Sequence, residues 1–288
     1  MRDLWQLVPR MVFLPARQRF TRFETATGCA AARPVQTTEV DDMATIGGGA
    51  YNDSLHGTHD ADVIFGNGGD DLIFGGGNSD LLSGGEGSDI LFGGNGDDWL
   101  SGGEGNDLLF GGNGMDVLQG SDGADVLFGN NGEDVLQGNA GDDYLRGGNG
   151  DDIQIGGAGD DILDGNSGND ILQGGIGDDV LRGGSGDDIL SGGEGNDMLH
   201  GGIGGDTFVF TGGGGNDVVL DFKVGQDILQ VSKGINGTDI ETADDLAART
   251  HQVGHDTVVD LGNGDTITLR NVNAEDVNHN PSDYFTVH

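Results

Sequence analysis

A nine-residue period runs without a slip from Gly48 to Val209, giving 18 consecutive nonapeptides in a chain of 288 residues. The consensus is G-G-x-G-x-D-x-U-x, with U a large apolar residue, as in Gly84–Phe92 (GGEGSDILF), Gly102–Phe110 (GGEGNDLLF) and Gly183–Ser191 (GGSGDDILS). Position one is glycine and position six aspartate in all 18 copies; position eight is Leu, Ile or Phe except at Gln154. An array of this kind builds a solenoid, in which each repeat packs only on its neighbours. Positions three and nine alternate between successive copies (Glu86, Asn95, Glu104, Asn113; Phe92, Ser101, Phe110, Gln119), so one coil is two nonapeptides, or 18 residues.

Each nonapeptide reads as a six-residue turn and a three-residue strand, with odd strands forming one parallel sheet and even strands another. The eighth side chain points inward, because strand side chains alternate faces. The predicted fold class is all-β: a two-sheet β-helix solenoid of 18 nonapeptides with a small mixed, β-rich C-terminal cap. Departures cluster at the start, where Tyr51, Asp60 and Asn78 replace the fourth-position glycine. Asp and Asn tolerate left-handed backbone and Tyr does not, so the first turn is expected to be a degenerate cap without a full metal site.

Three segments follow. Residues 1–46 form an N-terminal tail, unstructured or upstream of the true start at Met43; its first 42 residues hold six of the 12 basic residues. The alternative is an Arg-rich tail lying on an acidic body. Residues 47–210 are the solenoid and 211–288 the cap. In the cap, Asp217–Leu220, Asp227–Val231, Asp256–Leu261 and Asp265–Leu269 read as strands, the last two joined by a hairpin at Leu261–Asp265, and Thr242–Asp245 opens a helix with a capping-box acid.

Composition supplies the chemistry. After residue 42 the chain carries 45 acids against six bases, which excludes binding to nucleic acid phosphates and makes cations the natural partners. One cysteine, Cys29, leaves no intramolecular disulfide to hold 60 glycines together, and no run of 18 apolar residues suggests a transmembrane segment. Glycine at positions one, two and four lets a turn aim backbone carbonyls, and the aspartate adds charge. A hard divalent ion wants six to eight such oxygens. One turn offers too few, so each Ca²⁺ is expected between turns one coil apart, bridging for instance Asp89 with Asp107 and Asp98 with Asp116.

The expected ligands are Asp62, Asp71, Asp80, Asp89, Asp98, Asp107, Asp116, Asp125, Asp134, Asp143, Asp152, Asp161, Asp170, Asp179, Asp188, Asp197 and Asp206, around at most about 16 ions by ligand count. At a Kd of about 10⁻⁴ M, millimolar Ca²⁺ stabilises the fold by about 1.4 kcal/mol per site, and cytosolic Ca²⁺ by almost nothing. The fifth-position acids (Asp70, Asp97, Asp142, Asp151, Asp160, Asp178, Asp187) are expected to face solvent and draw cations in.

The array resembles the RTX (repeats-in-toxin, hemolysin-type) calcium-binding nonapeptide, a repeat also known from calcium-binding parallel β-helices. Gly201–Phe210 (GGIGGDTFVF), Asn216–Phe222 (NDVVLDF) and Gly225–Leu229 (GQDIL) are similar to the C-terminal end of serralysin-type proteins. The resemblance implies a parallel β-roll, calcium-triggered folding outside the cell, and export by a type I secretion apparatus reading a C-terminal signal near Asp283–His288.

No catalytic residues are expected. The seven histidines contain no H-E-x-x-H, no G-x-S-x-G occurs, and the stretch before the repeats is too short for a protease, lipase, epimerase or pore-forming domain. His251 and His255 lack a third ligand. Phe74, Phe92, Phe110 and Phe128 fall at position nine of alternate repeats, opposite a polar strip of Ser83, Ser101, Gln119 and Gln137 on the other sheet. They either stack within the sheet or form an apolar patch for self-association or adhesion, extracellular polysaccharide being a further candidate partner. Two functions stay open: a stand-alone secreted calcium-binding scaffold or adhesive module, or the repeat and secretion half of an extracellular enzyme system.

Overall fold

The computed structural model describes residues 43–288; the expectations for residues 1–42, the Met43 start among them, lie outside that range. The strands fall into two sheets of 12 and 13 members, and alternate strands of the repeat array go to alternate sheets. Pairing is parallel with an offset of 18 residues, as in Leu91↔Leu109 and Leu100↔Leu118. The solenoid starts slightly earlier than its motif: Thr45–Gly47 already pairs with the strand Val63–Gly68, and Ile46 is buried.

The strands from Val63–Gly68 to Met198–Ile203 are six residues long, not three. Ile90–Asn95 and Leu108–Asn113, for example, cover positions seven to nine of one nonapeptide and one to three of the next. The ladder runs on because the fourth-position N–H still donates across coils, from Gly87 to the Glu104 carbonyl at 2.8 Å. Only positions four to six are left to turn. Positions eight and one both face inward, but position one is glycine, so the core is one stack of side chains: Leu82, Leu91, Leu100, Leu109, Leu118 and their equivalents are fully buried. Gln154 interrupts it and ties the sheets together, its Nε2 donating to the Asp164 carbonyl at 2.9 Å.

The sheets continue where the strict period stops. Asn216–Val219 and Ile228–Val231 extend one sheet each, and Asp265–Leu269 and Phe285–Val287 add further parallel strands. The hairpin Asp256–Gly262/Asp265–Leu269 forms as expected. Helix α1 (Ala243–Ala248) opens with a complete capping box between Thr242 and Asp245, and α2 (Ala274–His279) is capped by Asn273. Leu246, Val259, Ile267, Val277 and Phe285 carry the leucine stack into the cap, so its last layer stays dry.

On the outer face of one sheet, His56, Phe74, Phe92, Phe110 and Phe128 stack ring on ring, with centroids 4.7–5.1 Å apart and planes within 8°. That spacing is the interstrand distance of a sheet, so the ladder follows from the period. Beyond Phe128 the same row turns polar. Tyr144 meets Phe128 edge-on and donates to Asp164 at 2.8 Å, and Asp164 pairs with Arg182 at 2.9 Å. Phe110→Ser should lower the unfolding free energy in Ca²⁺ by about 1–2 kcal/mol, from lost stacking and burial. Gln119→Ser on the other sheet should change it by less than about 0.5 kcal/mol. Denaturant melts of both variants check this.

Candidate metal centres

The sixth-position aspartate is buried in nearly every repeat, and its two oxygens have different fates. Oδ1 accepts the backbone N–H of the aspartate one coil earlier: Asp53 N–H reaches Asp71 at 2.7 Å, Asp89 N–H reaches Asp107 at 2.8 Å, and Asp188 N–H reaches Asp206 at 3.2 Å. Oδ2 is buried with no hydrogen-bond partner among the described residues in 16 of them, from Asp71 through Asp206. A buried anionic oxygen without a partner is costly. Sixteen in two columns call for protons or a cation among them.

The glycines are needed for two distinct reasons. Positions two and four hold positive φ, as at Gly103 (122°) and Gly105 (127°). A Cβ on Gly105 would stand 2.0 Å from the Gly87 carbonyl oxygen, so the backbones of successive turns leave no room for a side chain. Position one has ordinary φ, but a Cβ on Gly84 would meet Asp89 Oδ2 at 2.1 Å and the Gly102 carbonyl oxygen at 2.7 Å. Carboxylate and carbonyl oxygens from two coils therefore converge beside first-position glycines such as Gly84, Gly138 and Gly174. No three His, Cys, Asp or Glu side chains cluster among the described residues, so backbone carbonyls must supply much of any coordination shell. That is an all-oxygen set spread over a flexible turn, which suits Ca²⁺. When bound, Ca²⁺ supplies the positive charge these carboxylates lack; the chain itself places the oxygens and links the coils.

Burial, opposed by the backbone N–H and reinforced by carboxylates one coil away, raises Asp98, Asp107, Asp116 and Asp134 to about 7 and Asp152 to about 8. Without metal these groups hold protons at pH values where free carboxylates do not.

The first two turns differ. Asp62, expected among the ligands, accepts from the Thr58 N–H at 2.5 Å and its hydroxyl at 3.0 Å, and Asp53 accepts from the Gly49 N–H at 2.6 Å, each through Oδ2. Neither carboxylate is orphaned. Their turns carry Tyr51 and Asp60 at position four, outside the positive-φ set that includes Asn78, and there the carboxylate bonds to the backbone of its own turn.

At the other end, Asp217 and Asp227 continue the columns and were missed by the strict period. Asp217 accepts from the Asp197 N–H at 3.0 Å and Asp227 from the Asp206 N–H at 3.1 Å. The motif recurs at Gly212–Leu220 (GGGGNDVVL) and Phe222–Gln230 (FKVGQDILQ), displaced by the inserted Phe210-Thr211 and Asp221. A search allowing phase slips finds both.

The fifth-position acids are exposed as expected but also form bonds. Asp142 accepts from the Asp160 N–H at 2.9 Å, Asp160 from Asp178 at 2.8 Å, and Asp178 from Asn196 at 2.7 Å. This column points forward along the chain while the sixth-position column points back. His251 lies on an exposed strand and His255 in the following turn, with no third ligand beside them.

A family model described as the RTX calcium-binding nonapeptide repeat (4 copies) matches residues 47–82, 83–118, 110–145, 119–154, 137–172, 146–181 and 173–208. The chain belongs to the RTX calcium-binding repeat family. Among solved structures it is similar to the extracellular lipase LipA from Serratia marcescens, with 22% identity and a TM-score of 0.27 over 80% of this chain and 45% of that one. The RTX chain thus spans less than half of that lipase. No curated protein sequence matches it.

Two outcomes test the RTX site. Asp125→Asn keeps an oxygen for the Asp107 N–H but removes the charge, and should cost about one or two bound Ca²⁺ per chain, because each carboxylate stands between neighbouring turns. Asp142→Asn on the exposed column should leave the count unchanged; calcium titration calorimetry reads both. The second outcome concerns pH. The folded-state pKa values exceed the unfolded value of 3.8, so in EDTA the stability these groups contribute is full below about pH 4 and falls as pH rises through about 7–8. Ion-free protein should lose β-structure by circular dichroism between pH 4 and pH 8, and saturating Ca²⁺ should remove that dependence.

Proposed function

We propose that this RTX chain is a secreted structural or adhesive module, exported unfolded through a type I secretion apparatus and ordered by Ca²⁺ outside the cell. The observation that carries this reading is the row of 16 buried aspartate Oδ2 atoms with no hydrogen-bond partner among the described residues. No donor among the described residues reaches them, and millimolar Ca²⁺ can neutralise them. At cytosolic Ca²⁺ of about 10⁻⁷ M mass action contributes almost nothing, and a core one side chain wide does not offset the entropy of ordering so much glycine. The same switch would keep the chain extended for export and fix it after release.

We assign the module no reaction of its own. Asparagine and aspartate side chains of the turns form ladders between coils, as along Asn95, Asn113, Asn131 and Asn149, which serves a scaffold. For contact with other surfaces the most apolar region is the first half of one sheet, Phe74, Phe92, Phe110 and Phe128 flanked by Leu72, Ile90, Leu108 and Val126. The ring faces are spent on one another, so this strip offers ring edges and aliphatic groups. That supports stiffening and apolar contact more than stacking against sugar rings.

A Ca²⁺ titration of the full chain, followed by far-ultraviolet circular dichroism with Mg²⁺ as control, tests the reading. A cooperative gain of β-structure at roughly 0.1–1 mM Ca²⁺, in the range of extracellular modules, is expected. Complete folding in EDTA at pH 8 would sink it.

A further inference from the structure

The two turn columns do not end alike. In the second of them the last turn is Phe222–Asp227, which occupies positions one to six of the displaced motif. Its register is fixed by the bond from the Asp206 N–H to Asp227 and by the pairing of Thr207 with Ile228. Position two of this turn, glycine, serine, asparagine or threonine in the earlier repeats, is Lys223. Of the three Lys and Arg residues between Gly48 and Gln230, Arg146 and Arg182 stand on the outer face of a sheet at position nine, and only Lys223 stands in a turn. Its ammonium donates back to the carbonyl of Gly202, the position-two residue of the preceding turn in the same column.

This last gap is rich in negative charge. Asp206 is fully buried, and its Oδ2 has no partner. Asp227 is buried and accepts from the Lys223 N–H at 2.7 Å. The inserted Asp221 grips the N–H groups of Gly201 and Gly202 at 2.9 and 2.8 Å. We propose that Lys223 is a tethered cation standing in for Ca²⁺ in the last gap of this column, so that the C-terminal end of the solenoid closes without a metal ion there. The inference rests on the calcium reading of the earlier gaps and narrows it, taking Asp206 out of the 16 carboxylates that call for an ion. Burial raises the pKa of both Asp206 and Asp227, and the Lys223 charge pulls both back. The ammonium is covalently part of the chain, so its local concentration does not depend on the medium. The end nearest the cap is then the first part of the roll to order as Ca²⁺ rises, giving the remaining coils a template to stack on.

The test uses the full chain as wild type, Lys223→Met, Lys223→Gln and Lys223→Arg, with Lys233→Met as an exposed control. Bound ions are counted by equilibrium dialysis against radioactive Ca²⁺, and protection of the 222–230 amides is followed by hydrogen exchange across a Ca²⁺ titration. Lys223→Met and Lys223→Gln should each bind one more Ca²⁺ per chain than wild type. Half-protection of 222–230 should need about tenfold more Ca²⁺ in both. Lys223→Arg and Lys233→Met should match wild type. Equal counts and equal midpoints in wild type, Lys223→Met and Lys223→Gln would overturn the proposal, leaving the lysine a hydrogen-bond donor only. Should Lys223→Met not fold at any Ca²⁺, Lys223→Gln decides: wild-type protection overturns the role of the charge, and rescue by Lys223→Arg alone supports it. A wild-type chain that binds no Ca²⁺ overturns the calcium reading itself, a result distinct from equal counts.

Discussion

The structure depends on how one carboxylate is divided. Sixteen of the 18 sixth-position aspartates give Oδ1 to the backbone of the preceding coil and keep Oδ2 buried and without a hydrogen-bond partner among the described residues. The first half of that arrangement fixes the register between coils, because a slip of even one residue would strand both the N–H and the oxygen. The second half makes the register conditional: the repulsion and desolvation of 16 such groups are tolerable only with protons or a divalent cation among them. Geometry and metal dependence are thus one property of the same side chain. A solenoid with so thin a core has no other reserve of stability of comparable size.

Much of this was legible in the chain itself because the period is strict. Position one never varies from glycine, position six never varies from aspartate, and the 18-residue alternation of Phe92 and Phe110 against Ser101 and Gln119 gave the number of sheets. Strand length was not legible. Glycine at positions one and two reads as turn, yet the backbone ladder runs through it, because parallel pairing needs N–H and C=O groups and not side chains. The extra coil formed by Asp217 and Asp227 was hidden by insertions of two residues and one, which break a fixed-period search but leave the fold room to bulge between strands. The bonds of the fifth-position column were also hidden. Asp142, Asp160 and Asp178 look like solvated charge, and only stacking reveals that each accepts the next coil's N–H.

The ends of the solenoid show what the interior needs. Where the fourth position does not take positive φ, as at Tyr51 and Asp60, the carboxylate bends onto its own turn and the open oxygen disappears. At the far end Asp227 does the same with Lys223, and the cap supplies Leu246, Val277 and Phe285 to cover the last leucine layer. The first two turns and the last turn of one column therefore satisfy their carboxylates within the protein, and the interior leaves that task to ions.

The outer faces of the two sheets carry different side chains although their inner faces are nearly alike. One shows a row of phenylalanines that gives way to Arg146, Asp164 and Arg182, and the other shows serine and glutamine. Losing or gaining a single nonapeptide would preserve every inward leucine and every buried aspartate, yet it would send all later strands to the opposite sheet and scramble both outer rows. A molecule built this way changes length cleanly only by whole coils. Its surface pattern therefore carries a record of growth by doubled units, even though its core would accept single ones.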